Sequence, residues 1–196
     1  MTELLYQGHG SYRLVSDQGV TVYVDPFAGE GYDLPADLVL VSHEHGDHNQ
    51  VGLVTLKPEG KILRETDFID GAQYRTFTVG DVTVRGTEAY NKNHPKNQCV
   101  GFLIEVEGKK LYIACDTSET EQMHTMSGEQ IDYAFLPIDG VYNMDTKEAV
   151  HCAELIGAKH NVPVHMAPGQ LFSQQAAESF AAPNRLIVHP GEKISW

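Results

Sequence analysis

The run His43-Glu44-His45-Gly46-Asp47-His48 packs three histidines and an aspartate into six positions. Residues two apart in an extended segment project to the same side, so the imidazoles of His43 and His45 can converge on one ion. Asp47 and His48 follow immediately, and as adjacent residues they point in different directions, which suits this pair to a second ion. Imidazole and carboxylate together favour Zn2+, with Mn2+ or Fe2+ as alternatives. A solvated polar turn would not explain why so many ligand types follow directly on an apolar run. Taken alone, the pattern speaks more firmly for metal than for any one reaction.

That apolar run, Leu38-Val39-Leu40-Val41, reads as a strand buried on both faces that delivers the chain into His43. Shorter β segments are expected upstream at Leu4 to Tyr6, Tyr12 to Val15 and Val20 to Val24, punctuated by Gly8, Gly10, Asp17 and Gly19. Further strands are expected at Gln73 to Val79, Val82 to Thr87, Val100 to Val106 and Lys110 to Ala114, then at Val162 to His165 and Leu186 to Val188. Ser118-x-x-Glu121 and Asp145-x-x-Glu148 both read as helix capping boxes, with Gly128 and Gly157 as stops, and a third helix is expected near Ser173 to Phe180. In the second helix Ala149, Cys152, Ala153 and Ile156 recur at helical spacing as the buried face, which leaves His151 and Glu154 outward. Strands alternating with helices argue for an α/β arrangement.

At 196 residues the chain suits one compact domain spanning residues 1–196. Apolar residues make up 41% and charged residues 21%, a globular balance that excludes disorder as the default. A formal charge of −13, from 27 acidic and 14 basic residues, sets a field that repels polyphosphate. Long nucleic acid is therefore a disfavoured partner, and a small-molecule substrate is expected instead. The start lacks a basic segment followed by an apolar one, and no stretch approaches the roughly 20 apolar residues of a membrane span, so a cytoplasmic protein without membrane partners is expected. Cys99, Cys115 and Cys152 are odd in number and widely spaced, which fits reduced thiols rather than a disulfide framework or a paired zinc site.

The spacing H-x-H-x-D-H resembles that of the metallo-β-lactamase superfamily, and further motifs follow in that family's order. Asp25-Pro26, after the Val20 to Val24 segment, resembles the family's strand-end aspartate, which orients the metal motif by hydrogen bonding. Ala89-Tyr90-Asn91-Lys92-Asn93-His94 looks like the segment that brings in a further histidine. Asp116, in Ala114-Cys115-Asp116-Thr117, matches the aspartate that bridges two metals, with Cys115 standing where glycine is usual. His165 matches the last histidine. The resemblance implies that His43, His45 and His94 hold one ion and Asp47, His48 and His165 the other, with Asp116 between them. It also implies a four-layer αβ/βα sandwich, two mixed sheets flanked by helices, and catalytic roles for Asp47 and Asp116.

The stretch Leu136-Pro137-Ile138-Asp139-Gly140-Val141-Tyr142-Asn143-Met144-Asp145 and the opening Gly8-His9-Gly10-Ser11 resemble a small-protein branch related to sugar-phosphate (ascorbate-6-phosphate) lactonases. There Tyr142 and Asn143 are either substrate contacts or a polar loop before a capped helix, and His9 and Cys115 stand beside the ligands. The implied activity is metal-dependent hydrolysis, with two Zn2+ per chain and a metal-bridging hydroxide acting on a small, anionic ester, lactone or phosphoester. Alternatives on the same fold are a phosphodiesterase or nuclease, a di-iron redox module, and a metal-binding module without catalysis. His124, His151, His160 and His189 have no ligand-like spacing and are expected outside the site.

Overall fold

The computed structural model describes residues 1–196. Strands β1 (Glu3–Gly8), β2 (Ser11–Val15) and β3 (Thr21–Val24) form an antiparallel meander, and β4 (Ala36–Val41) and β5 (Leu56–Arg64) then add in parallel. A short helix, α1 (Glu65–Phe68), leads into a small hairpin of β6 (Ile69–Asp70) and β7 (Gln73–Tyr74). The second sheet starts with β8 (Thr76–Val79), β9 (Val82–Glu88), β10 (Val100–Val106) and β11 (Lys109–Ile113), all antiparallel. Strand β12 (Tyr133–Pro137) joins β11 in parallel, helix α2 (Thr146–Ile156) crosses over, and β13 (His160–Val164) pairs in parallel with β12. After α3 (Gln174–Ser179), β14 (Lys193–Ser195) returns to the free edge of the first sheet beside β1. The result is two mixed six-stranded sheets with few helices, an α/β architecture. No helix is long and apolar enough to cross a membrane.

Strand β4 shows how sequence pattern becomes layering. Leu38 and Leu40 pack into the core between the sheets with Tyr6, Tyr12, Phe102 and Phe135, while Val39 and Val41 join Tyr23 and Val54 on the first sheet's outer face. The continuous apolar run thus corresponds to a strand buried on both sides, as its composition indicates. On the second sheet's outer face, α2 and α3 bury Ala149, Cys152, Ala153, Ile156, Ala177 and Phe180. Helical cover is uneven, because side chains such as Tyr32 and Val51, rather than a helix, pack on the first sheet's outer face.

Helix α2 follows its sequence signals closely. Asp145 caps it by accepting from Glu148 N at 2.8 Å, and Gly157 ends it in the left-handed region at φ 65°. The other capping box differs: Ser118 lies outside the segment, which is a 3-10 helix over Glu121–Glu129 that starts after Thr120 without a side-chain cap and ends on left-handed Gln130. The donors of its first turn go elsewhere, Glu121 N to Tyr90 Oη and Gln122 N to Glu88 Oε2. Leu186 to Val188 forms no strand; Arg185 makes an isolated bridge to Asn161, and only Val188 of the three is buried. The last strand is β14 instead. Gln73 to Val79 is divided between two sheets, and β5, unmarked in the sequence, contains Pro58 and Gly60 and lies largely exposed at a sheet edge.

Candidate metal centre

Seven strands point their C-terminal ends at one place. His9 follows β1, Asp25 follows β3, and His43 comes two residues after β4. His94 sits in the loop after β9, Asp116 follows β11, Asp139 follows β12 and His165 follows β13. The chain leaves the sheets abruptly: His9, Asp25, Cys115 and His165 take positive φ of 56°, 44°, 56° and 44°. Non-glycine residues rarely adopt that region, and such strain gathers where surrounding structure fixes a functional geometry. It also accounts for the family's glycine before Asp116, since position 115 needs the left-handed conformation that glycine adopts most readily. The Cys115 side chain packs against the core between the sheets, with Sγ 3.7 Å from the Ile113 carbonyl.

The other six ligand candidates gather around the two oxygens of Asp116. Its Oδ2 lies 3.2 Å from His94 Nε2 and 3.8 Å from His43 Nε2, and His43 Nε2 lies 3.1 Å from His45 Nδ1. The other oxygen, Oδ1, lies 3.3 Å from His48 Nε2 and 3.4 Å from His165 Nε2, and both rings stand 3.7 Å from Asp47 Oδ2. A tetrahedral ion with ligand bonds of about 2.0–2.1 Å separates its ligand atoms by roughly 3.3 Å. The ligand atoms of His43, His45 and His94 lie within 4.8 Å of one another, as do those of Asp47, His48, His165 and His9, and those of Asp25, His43 and His48.

Buried atoms in this cluster lack hydrogen-bond partners. His48 Nε2, His94 Nε2, His165 Nε2 and Asp116 Oδ1 are all enclosed and unpaired. An unsatisfied buried polar atom is costly, and several of them facing one another fit a cation among them.

The opposite ring nitrogens are engaged. Ser42 Oγ donates to Asp25 Oδ2 at 2.6 Å, so its remaining capacity is as acceptor, and it takes the Nδ1 proton of His43 at 2.9 Å. His48 Nδ1 is held by Asp25 Oδ2 at 2.8 Å and His94 Nδ1 by Asn91 Oδ1 at 2.9 Å, while His165 Nδ1 lies 2.9 Å from Asp139 Oδ2. These contacts turn Nδ1 outward and Nε2 inward, an arrangement typical of metal-ligating histidines. Ser42, Asn91 and Asp139 were not singled out from the sequence. Asp139 carried a signal, because it follows an apolar strand as Asp25 and Asp116 do.

Charge accumulates accordingly. Burial and the nearby His48 pull His43 down to about 2. For His165 burial works against the charge, but Asp116, Asp139 and Asp47 outweigh it and push the ring up to about 10. Burial likewise opposes charge on His48, yet Asp116 and Asp25 raise it. Asp116 is held well below the usual carboxylate range because His48, His165, His94 and His43 overcome the cost of burying it.

His9 is fully enclosed, with Nδ1 donating to the Gln170 carbonyl at 2.9 Å and Nε2 3.0 Å from Asp47 Oδ2. A cavity of about 400 Å3 opens over the cluster, lined by Glu44, His45, Asp47, His94, Asp116, Tyr142 and His165 among others. Tyr142 forms part of its wall and is 51% exposed, whereas Asn143 turns its amide inward to Asp139. The other histidines lie elsewhere: His124 and His151 flank Glu119 on the surface, His160 stacks on Tyr133, and His189 contacts Glu192.

A sequence profile of the β-lactamase superfamily domain matches residues 3–165. A UPF0173 metal-dependent hydrolase of Rubrobacter xylanophilus is 28% identical across 98% of this chain and 96% of its own length. A protein of the same description from Alkaliphilus metalliredigens is 30% identical across 83% of this chain and 84% of its own. Among solved structures, Igni18, a metallo hydrolase of Ignicoccus hospitalis, superposes with a TM-score of 0.76 at 22% identity, covering 98% of this chain and 97% of that one. By its profile match and its fold, the chain belongs to the metallo-β-lactamase superfamily, where it groups with metal-dependent hydrolases.

Proposed function

We propose that the protein is a dinuclear, zinc-dependent hydrolase acting as a single domain on a small ester, lactone or phosphoester. The observation that carries this reading is the division of Asp116, with one oxygen facing His43 and His94 and the other facing His48 and His165. A carboxylate so placed suits a bridge between two cations. His43, His45 and His94 would hold one, and Asp47, His48 and His165 the other. When bound, such ions supply a nucleophile from water at neutral pH and polarise the acceptor oxygen of the substrate.

The remaining work falls to the chain. Asp47 is half-buried at the cavity floor, and contact with His9 and His165 holds its carboxyl below the usual range despite the cost of burial. An ionised Asp47 would accept a hydrogen bond from the attacking water and so orient it. Tyr142 and Asn93 wall the cavity where a substrate's non-reacting part would lie. A cavity of about 400 Å3 fits a small molecule.

Two divalent cations exceed the charge of Asp47 and Asp116, which would draw a carboxylate or phosphate on the substrate. The rim limits that attraction. Glu44 and Glu65 stand at the neighbouring opening beside His43 and His45, and the nearby Arg64 is already paired with Glu44. Lys96 is likewise paired with Glu88. Lys92, in the adjoining recess with Tyr142, has no ion-pair partner, but one cation is not the basic track that a nucleic-acid backbone would require, so a substrate with a single anionic group fits better than a long polyanion.

The test is turnover by zinc- and manganese-loaded protein on a panel of small esters, lactones, thioesters and phosphodiesters, with Asp116→Ala as the control. Hydrolysis of a small ester, lactone or phosphoester that disappears in the variant supports the proposal. Activity that survives in Asp116→Ala, or is confined to oligonucleotides, contradicts it.

A further inference from the structure

A chain of side-chain hydrogen bonds runs from His94 of one histidine group to Asp139, whose carboxylate makes a charge contact with His165 of the other. His94 Nδ1 donates to Asn91 Oδ1 at 2.9 Å, Asn91 Nδ2 donates to Asn143 Oδ1 at 3.3 Å, and Asn143 Nδ2 donates to Asp139 Oδ2 at 2.7 Å. That last oxygen lies 2.9 Å from His165 Nδ1. The directions are determined by chemistry. Asn91 Oδ1 also accepts the backbone N–H groups of Asn93 and His94, at 2.8 and 3.0 Å, which identifies it as the oxygen. Asp139 as a carboxylate only accepts, so the Asn143 amide nitrogen must face it and the Asn143 oxygen must face Asn91.

The same residues fasten the loop that carries Tyr142. Asp139 Oδ1 accepts from the backbone N–H of both Val141 and Tyr142 at 2.7 Å. The Tyr142 carbonyl accepts from Asn91 Nδ2 at 2.9 Å and from Asn93 Nδ2 at 3.1 Å.

We infer that Asn143 is a positioning residue whose amide joins His94 of one ligand set to His165 of the other, so that the two sets bind metal cooperatively and loading orders the Tyr142 loop. Asn143 touches neither histidine and acts through Asn91 and Asp139. An ion that fixes one ring fixes the amide chain behind it, and the second ion then has less ordering to impose. By linkage the coupling is reciprocal. The inference rests on the reading that these histidines hold metal.

The experiment is a zinc titration of the full chain against a competing chelator, with hydrogen exchange at the amides of Val141 and Tyr142 followed before and after loading. Wild type is expected to bind two ions with positive cooperativity and to slow exchange at both amides. Asn143→Ala should lose the cooperativity, bind the second ion about fivefold more weakly or worse, and show no zinc-dependent protection of the loop. Asn143→Asp is nearly isosteric but sets a carboxylate against Asp139, so it should be worse than alanine; a merely space-filling Asn143 would leave it like wild type. Should either variant fail to fold, Asn91→Asp keeps the oxygen for His94 while losing the donor to Asn143, and it should likewise abolish cooperativity. Variants that bind both ions as wild type does, with the loop equally protected, overturn the inference. A wild type that takes up no zinc, or a His43→Ala variant that keeps both ions, overturns the metal reading and this inference with it.

Discussion

The two ligand sets differ in what stands behind their rings. In the first, His43 leans on the Ser42 hydroxyl and His94 on the Asn91 amide, both neutral. In the second, carboxylates do the same work, Asp25 behind His48 and Asp139 behind His165. Burial and neighbouring rings keep His43 down at about 2, so in the metal-free protein it presents a lone pair at any working pH. His165 is pushed up to about 10, against the pull of burial, by Asp116, Asp139 and Asp47, and it carries a proton at neutral pH. His43 is thus ready for a cation, while His165 must exchange a proton for one.

Asp116, the proposed bridge, should give the largest effect, since both halves would share it. Asp116→Ala is expected to lower turnover by three orders of magnitude or more, on the scale of the several kcal/mol of charge stabilisation a metal supplies. A loss of less than about tenfold, measured as kcat/KM on whichever substrate the panel identifies, would show that the halves work independently.

Removing the carboxylate behind the second set should come next. Asp139→Asn is expected to weaken zinc at that set by about 10–100-fold, and Asn91→Ala to weaken the first set by less, because a neutral partner contributes less to ligand basicity. Chelator competition separates the two affinities. Equal losses would erase the distinction drawn between the sets.

Acidity offers a third test, with opposite signs for the metal-free and loaded protein. A raised His165 stabilises the metal-free fold fully below its ordinary value of 6.5, and that contribution disappears as pH rises through about 10. Asp139, lowered to about 2 by His165 and the loop N–H groups against the effect of burial, stabilises above its ordinary 3.8, and that contribution is lost as pH falls towards 2. His43, held down to about 2 by burial and His48, works the other way below its ordinary 6.5, because the unfolded chain takes up a proton there that the fold does not, so metal-free protein should melt highest near pH 6.5. Zinc competes with the His165 proton, so the increase in Tm that zinc confers should grow from pH 6.5 upward. A zinc increment independent of pH would remove the proton exchange from the second set.

The smallest effect is expected at Cys115. Glycine there relieves a left-handed backbone costing about 1–2 kcal/mol but removes a thiol packed on the core, so Cys115→Gly should shift stability by less than about 1 kcal/mol in denaturant unfolding and leave zinc content unchanged. Loss of zinc in that variant would move the thiol from packing into the centre itself.

The sequence disclosed those parts of the molecule whose local pattern is also their final environment. Leu38 to Val41 is apolar on both faces and buried on both, and Asp145, Ala149 and Gly157 carry the cap, buried face and stop of a helix that obeys every local rule. Ligand candidates were legible because strand ends deliver them as types and spacings. Less legible were features set by partners distant in sequence. Strand β5 is held by β4 rather than by its own residues, and β14 is three residues whose pairing depends on β1. Ser118 looked like a cap, yet the neighbouring turn satisfies its donors through Tyr90 and Glu88. Ser42, Asn91 and Asp139 are ordinary polar residues in sequence and gain their roles only from the ring nitrogens they meet. Asn143 suggested a substrate contact, but its amide is committed to Asp139 and Asn91.

The central claim, two cations joined by Asp116, is tested most directly by counting zinc per chain after reconstitution at pH 8 in wild type and Asp116→Ala. Two ions per chain in wild type, falling below one in the variant, is the expected result. Equal zinc content in the two proteins, or none in wild type, would contradict it.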